Sequence, residues 1–170
     1  MNHLLELRPK QWNLLIMPER GRLLRAMAEL AKCTPLIVLD CGRQFDASIV
    51  ARAARGRAEV IDSIKVQRAF ICYEAVKLLE RTPAGSAPVI VLDFLSTFYD
   101  ENVKMQTRKF LLERSLEHFR RLSQGGGVAV SIHPPSSHDD FYLFQRLRSS
   151  AARVSEYGLP ETVSEQMSLF

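Results

Sequence analysis

The sequence contains few cysteines, and their spacing argues against a disulfide framework or a cysteine-ligated metal site. Cys33, Cys41 and Cys72 are an odd number and include no C-x-x-C pair. Two of the three lie in or beside apolar runs, so we expect buried, reduced thiols. The chain also lacks a recognisable signal peptide and any apolar run approaching the ~20 residues of a membrane span. We therefore expect a cytoplasmic protein without a membrane partner.

The sequence also lacks internal repeats, low-complexity segments and a dense block of basic residues. Its net charge of +4 and its pI of about 9.1 are mildly basic, but residues of both signs are interspersed. Such a balance is compatible with nucleic-acid binding and also with an ordinary solvated surface. A chain of 170 residues with 46% hydrophobic content is long enough for one domain with its own core.

Hydrophobic patterning predicts an α/β domain over residues 1–157 with a mostly parallel sheet. Apolar runs rich in Val, Ile and Leu predict strands at 12–17, 35–39, 88–92 and 128–132, with weaker candidates at 153–157 and near Val60. Apolar residues at three- and four-residue steps predict helices at 22–32, 66–79 and 104–122, covering both faces of the sheet. The polar composition of residues 158–170 predicts a flexible tail.

The connection between the first predicted strand and helix lacks the residues of a phosphate-binding loop. Glu19, Arg20, Gly21 and Arg22 stand where a nucleotide-binding α/β domain places that loop. A working loop needs glycines, a Lys for the outer phosphates and a Ser or Thr for magnesium. Here one glycine remains, no Lys-Ser/Thr pair follows, and Glu19 lies where phosphate oxygens would have to be. We therefore predict a degenerate nucleotide site.

Two predicted strands end in aspartate. Asp40 closes the segment PLIVLD, and Asp93 closes PVIVLD. Because ligands bind beyond the carboxyl ends of the strands in open parallel sheets, both aspartates are candidates to hold magnesium. Alternatively, each starts a turn or caps the next helix. Spacing alone leaves both interpretations open.

Four segments of the chain carry a family pattern in their order and spacing: LDCGRQFD (39–46), IKVQRAF (64–70), VIVLDFLSTFY (89–99) and VAVSIH (128–133). Together they resemble the core of the RecA-like recombinases, especially the archaeal and eukaryotic strand-exchange proteins and their paralogues. The third is similar to the Walker B strand of that family, and the fourth to the strand that leads into a DNA-binding loop. The resemblance implies a RecA-like fold of the P-loop NTPase type.

The departures from this family concern its catalytic apparatus. In active recombinases a glutamate two residues beyond the first strand's aspartate positions the attacking water, whereas Gly42 stands at the matching place. Loss of even one group that stabilises the transferred phosphate typically costs about 10²-fold in rate or more. We therefore expect no ATPase activity and no catalytic residues, and neither ATP nor magnesium as a cofactor. The chain also lacks the small helical domain and the aromatic linker of filament-forming members, while a dimer or a RecA-like partner stays open.

Residues 133–140 combine two His and two Asp with consecutive prolines. Metal ligands must converge on one point, whereas prolines hold a segment extended, so we predict no metal site. Asp139 or Ser137 is instead expected to cap a helix that runs through Phe141 and Leu147.

Basic residues near the degenerate loop are candidates for DNA binding. Arg20, Arg22 and Arg25 cluster at the start of the first predicted helix, and Arg146 follows the segment that matches a DNA-contacting loop of the family. A helix N-terminus with arginines can bind an anion such as DNA phosphate. The alternative is a solvated basic face.

The last five residues are similar to the short motif by which bacterial polymerases and repair factors bind the sliding clamp. They are Gln166, Met167, Ser168, Leu169 and Phe170. Leu and Phe at the end of a polar tether can enter a preformed apolar pocket, with Gln making an orienting hydrogen bond. Alternatively, the two apolar residues fold back onto the domain, or the match is accidental.

These observations favour a non-catalytic accessory protein of DNA repair, recombination or damage-tolerant replication. It would bind a polymerase or RecA-like partner or DNA through its body, and the sliding clamp through its tail. The resemblance suggests RecA-related accessory proteins of mutagenic polymerase cassettes and cell-division inhibitors of the same lineage. The alternatives are a divergent ATPase that uses Asp93 for magnesium, and a structural regulator unrelated to DNA.

Overall fold

Six parallel strands form one sheet in the computed structural model, which describes residues 3–158. The strands are β1 Trp12–Ile16, β2 Leu36–Asp40, β3 Ile64–Arg68, β4 Val89–Leu92, β5 Val128–Ile132 and β6 Arg153–Glu156. Their spatial order is β3-β2-β4-β5-β1-β6, and every neighbouring pair is parallel. The predicted α/β class with a parallel sheet is confirmed.

Helices connect the strands and cover both faces of the sheet. They are α1 Arg20–Ala31, α2 Ala47–Ala53, α3 Ala58–Asp62, α4 Cys72–Arg81, α5 Met105–Ser123 and α6 Phe141–Ser150. Short 3-10 turns lie at His3–Leu5, Phe94–Phe98 and His138–Asp140. Among residues 3–158, no helix has the length and apolarity that crossing a membrane requires.

Alternate side chains of the strands enter two separate cores, one on each face of the sheet. In the first core, α1, α2 and α3 pack on β-strand residues such as Val38 and Ile90. In the second core, α4, α5 and α6 pack on residues such as Val91 and Val130. The strands in the middle of the sheet are buried on both faces, which explains why they appear in the sequence as continuous apolar runs.

The edge strand β3 differs from the prediction. The helix predicted at 66–79 is in fact β3 followed by α4, and Val60, predicted near a strand, lies inside α3. Because β3 is at the edge of the sheet, its residues are only partly buried or exposed, and its pattern lacks an apolar run. The apolar residues of β3 and α4 therefore merge into one apparent helical period.

A buried ion pair joins the N-terminal part of α5 to the start of α6. Arg108 Nη1 lies 2.7 Å from Asp140 Oδ1, and both side chains are almost fully buried. Arg108 also donates hydrogen bonds to the carbonyls of Val103 (2.8 Å) and Phe98 (3.2 Å). Asp140 holds the N-cap position of α6 without a side-chain capping bond. Of the two predicted caps, Ser137 holds the N-cap position of the 3-10 turn that leads directly into α6, also without a side-chain capping bond, whereas Asp139 lies inside that turn.

Residues 159–170 lie outside the described part of the chain. The predicted division between a domain at 1–157 and a tail at 158–170, and the motif from Gln166 to Phe170, therefore stay predictions.

Candidate functional site

A pocket of about 200 Å³ opens at the carboxyl ends of β1, β4 and β5. Leu23 and Leu24 of α1 form part of its apolar wall, and Asp93, Ser131 and His133 supply polar atoms. The strand order explains this grouping, because β5 lies between β4 and β1 and the residues after these strands share one edge. The volume is below the roughly 300–1,000 Å³ of typical small-molecule sites. The pocket is therefore small for a ligand the size of a nucleotide.

The connection from β1 to α1 consists of only Met17, Pro18 and Glu19. Glu19 is the N-cap of α1, and its Oε1 accepts a hydrogen bond from the Gly21 N–H at 3.1 Å. The guanidinium of Arg25 lies 3.7 Å from the other oxygen of this carboxylate. N–H groups at a helix N-terminus are the groups that bind phosphate in nucleotide sites. Here a carboxylate occupies one of them, and its charge opposes a phosphate at the same place.

Asp40 is fully buried at the end of β2 and organises the loop that follows. Its Oδ1 accepts hydrogen bonds from the N–H groups of Gly42 (3.2 Å) and Gln44 (2.9 Å), and its Oδ2 from that of Phe45 (2.9 Å). The Arg68 Nε lies 3.7 Å from Oδ2. These contacts use both carboxylate oxygens. They match the interpretation that Asp40 starts a turn rather than holds magnesium.

Asp93 is paired with a histidine from the neighbouring strand end. His133 Nδ1 lies 2.5 Å from Asp93 Oδ1, and the Asp93 N–H donates to Ser131 Oγ at 2.8 Å. Because a carboxylate can only accept, the imidazole is the donor. The phenol of Tyr99 donates to the His133 carbonyl at 2.8 Å and its ring contacts the imidazole edge-on. The backbone of Asp93 is left-handed, with φ of 50°, at the point where the chain passes from β4 into the 3-10 turn at Phe94–Phe98.

The electrostatics of this pair favour a charged histidine. The hydrogen bond to Asp93 raises the pKa of His133 above its usual value, although partial burial acts in the opposite direction. Burial, assisted by the charge of Asp93, raises the pKa of Tyr99, so its phenol stays protonated and donates. His133 therefore occupies Oδ1 of Asp93 as a hydrogen-bond donor.

Gly42 makes the close approach of the β2 and β4 strand ends possible. A Cβ atom added at Gly42 would lie 2.5 Å from the Cβ of Asp93 and closer still to its carboxylate. Real Cβ atoms do not approach side-chain atoms so closely, so a larger residue at this position would have to displace Asp93. The position of Asp93 at the edge of the pocket therefore requires glycine at residue 42.

The arginines selected from the sequence do not form one site. Arg20 lines the pocket, donates to the Gln44 carbonyl at 2.7 Å and lies 4.0 Å from Asp46. Arg22 is exposed, and Arg25 faces Glu19. Arg146 belongs to α6 on the other face of the sheet and is bound by Glu113 at 2.6 and 3.0 Å. Arg146 is therefore separated from the other three by the sheet.

Ser131, Gln44 and His133 are not among the predicted site residues; the sequence places them in segments that resemble the recombinase core, and His133 also in the discounted metal-ligand cluster. His133 follows β5 as Asp93 follows β4, so the rule that parallel strand ends share an edge could have paired them. The positions of Asp93 and His133 after their strands did not suffice to pair them, because nothing local in the sequence shows that β4 and β5 are neighbours. Among residues 3–158, no three His, Cys, Asp or Glu side chains lie together as metal ligands.

The sheet order and the two helical layers define a RecA-like α/β fold, and comparison with solved structures agrees. The chain is similar to the crystal structure of the RadB recombinase, with a TM-score of 0.64 and 12% sequence identity. The match covers 88% of this chain and 75% of that chain. At this low sequence identity, the similarity is evidence for the fold alone. No protein-family profile and no curated protein sequence matches the chain.

Proposed function

We propose that this chain is a non-catalytic, RecA-like accessory protein of DNA repair, recombination or damage-tolerant replication. It acts in the cytoplasm, binds a partner protein or DNA through its α/β domain and docks on the sliding clamp through its tail. The fold shared with a protein named as a recombinase supports the general role. The observation behind the non-catalytic role is that the Gly21 N–H at the N-terminus of α1 donates its hydrogen bond to the Glu19 carboxylate.

Three features support the loss of nucleotide chemistry. The β1–α1 connection is three residues long and offers a carboxylate instead of a ring of free N–H groups. One carboxylate oxygen of Asp93 is hydrogen-bonded to His133, which competes with a metal ion for it. Gly42 lies too close to Asp93 to be replaced by the water-positioning glutamate of the active recombinases. Without these groups the charge that develops in phosphoryl transfer has no stabilising partner.

Docking on the sliding clamp is tested by removing the tail motif. The full chain is expected to bind a purified bacterial clamp with about micromolar affinity, near −8 kcal/mol, whereas a chain ending at Glu165 should bind at least ~100-fold more weakly. The reason is that Leu169 and Phe170 supply the apolar anchors for the clamp pocket. Surface plasmon resonance with immobilised clamp measures both.

A matched pair of tail variants separates the motif from the tether. Leu169→Ala/Phe170→Ala should behave like the truncated chain, while Thr162→Ala/Ser164→Ala should bind like the full chain. Equal binding by the full and the truncated chains would remove the clamp from the proposal.

The divergent-ATPase alternative rests on the pocket beside Asp93 and is tested by nucleotide-dependent stability. We expect no change of melting temperature with ATP and magnesium, because phosphate oxygens would meet Glu19. A true nucleotide site at a ligand concentration of 100 Kd would add about 2.7 kcal/mol, or roughly 5–10 °C. Differential scanning fluorimetry distinguishes these outcomes. A rise of that size which disappears in Asp93→Asn, a residue that tolerates the left-handed backbone, would favour the ATPase.

A further inference from the structure

The positive charge of this protein is concentrated in one part of the chain. Residues 19–68 contain ten Lys and Arg but only six Asp and Glu, so they carry the whole formal net charge of +4. These residues form α1, β2, α2, α3 and β3. The three helices of this segment cover one face of the sheet. Its positive excess lies in β3 and in the connections between the elements, because the charges of α1, α2, α3 and β2 balance.

The cations of this layer line an open groove of about 540 Å³ between α1 and the end of α2. Its lining contains five basic side chains and one carboxylate, that of Glu29. The basic residues are Arg25, Lys32, Arg52, Arg55 and Arg57. No aromatic side chain is part of the lining.

Two of these cations have no carboxylate partner in the described part of the chain. Lys32 lies 2.7 Å from Glu29, Arg57 lies 2.8 Å from Glu59 and Arg25 lies 3.7 Å from Glu19. Within residues 3–158, no carboxylate forms an ion pair with Arg52 or Arg55, and the Arg52 side chain donates a 3.4 Å hydrogen bond to the Ser48 carbonyl. The three existing ion pairs are exposed and therefore weak, so a phosphate group can displace their carboxylates from the cations.

The turn that ends α2 holds its three arginines close together. Arg55 N–H donates to the Arg52 carbonyl at 3.1 Å, and Gly56 N–H donates to the Ala51 carbonyl at 3.2 Å. The backbone is left-handed at both Arg55 and Gly56, with φ of 52° and 73°, which closes the helix end tightly. The spacing of the cations is therefore set by hydrogen-bonded backbone rather than by a free loop.

We propose that this groove binds the phosphodiester backbone of DNA, which deepens the DNA-binding part of the proposed function and rests on it. Guanidinium groups bind phosphate oxygens through paired hydrogen bonds, and several in one groove fit the repeated charge of a polynucleotide. Because the lining has no aromatic residue to stack on bases, the contact is to the backbone and is independent of sequence. Of the arginines selected from the sequence, only Arg25 belongs to this groove.

The test compares two triple variants of the full chain that lose the same charge. The groove variant is Arg52→Gln/Arg55→Gln/Arg57→Gln. The control is Lys77→Gln/Lys104→Gln/Arg120→Gln, whose residues are exposed and form no ion pair within the described chain. Fluorescence anisotropy of a labelled duplex and a labelled single strand of arbitrary sequence is measured over a series of KCl concentrations. Circular dichroism checks that both variants are folded.

The groove variant is expected to bind at least ~10-fold more weakly at low salt, and the slope of log K against log[KCl] should decrease in magnitude by about 2–3. The control should keep the wild-type slope. Equal losses in both variants, or no DNA binding by the wild type, would overturn the proposal. So would preferential binding to phosphatidylserine vesicles that the groove variant abolishes, since the groove would then serve an anionic membrane.

Clamp binding by the groove variant separates the two proposals. A groove variant that binds the clamp normally but no longer binds DNA supports the proposed role of the groove. A wild-type protein that binds DNA through the groove but does not bind the clamp supports the role of the groove and contradicts the role proposed for the tail motif.

Discussion

Replacing Arg108 by methionine is expected to lower the free energy of unfolding by about 3–5 kcal/mol. The reason is that Asp140 keeps its buried charge while its only ion-pair partner among residues 3–158 is lost. The change also leaves the carbonyls of Phe98 and Val103 without their guanidinium donor. Urea unfolding, which is expected to be two-state for a domain of this size, measures the difference.

Two further variants test this explanation of the Arg108 effect. Arg108→Met/Asp140→Leu removes both charges and should recover most of the lost stability, because no unpaired charge stays buried. Arg114→Met on the same helix breaks an exposed pair with Glu80 and should cost less than about 1 kcal/mol. A double variant as unstable as Arg108→Met would show that packing of the arginine stem, rather than charge, causes the loss.

Replacing Asp40 by alanine is expected to cost about 3 kcal/mol, since three backbone N–H donors lose their acceptor at once. The N–H groups concerned belong to Gly42, Gln44 and Phe45, and they are part-buried. Asp40→Asn keeps one oxygen acceptor and should lie between wild type and alanine. Urea unfolding of the three proteins measures the series.

The matched control for Asp40 is the next aspartate along the chain. Asp46 caps α2 at the protein surface through Ser48, so Asp46→Ala should destabilise the protein much less than Asp40→Ala does. A similar effect of both alanine variants would contradict the structural role of Asp40. Stabilisation of the wild type by magnesium, lost in Asp40→Asn, would instead assign Asp40 to a metal site.

The central strands could be predicted from the sequence because burial on both faces leaves a local signature. β1, β4 and β5 lie within the predicted apolar runs almost to the residue. The edge strand β3 could not be predicted, since its side chains are half-buried or exposed and their period merges with that of α4. The short helix α2 also lacks a distinct amphipathic pattern, and only one of its residues is fully buried.

The candidate site divides in the same way. The sequence alone placed Glu19 between the first strand and the first helix, and it placed Asp40 and Asp93 at strand ends, because each statement needs only neighbours along the chain. It did not indicate that Asp93 faces His133, which is 40 residues away. That contact depends on β4 and β5 being adjacent, which follows from the packing of the whole sheet.

By itself the sequence therefore determined the class of fold, the position along the chain of its central strands and the residue types of its first strand–helix connection. These properties follow from hydrophobic periodicity and residue type, which act over a few neighbouring positions. Only the tertiary structure decided which charged groups meet, such as Arg108 with Asp140 and the cations of α1 with those of α2. Such contacts depend on strand order and helix packing, and these are set by the burial of two cores at once.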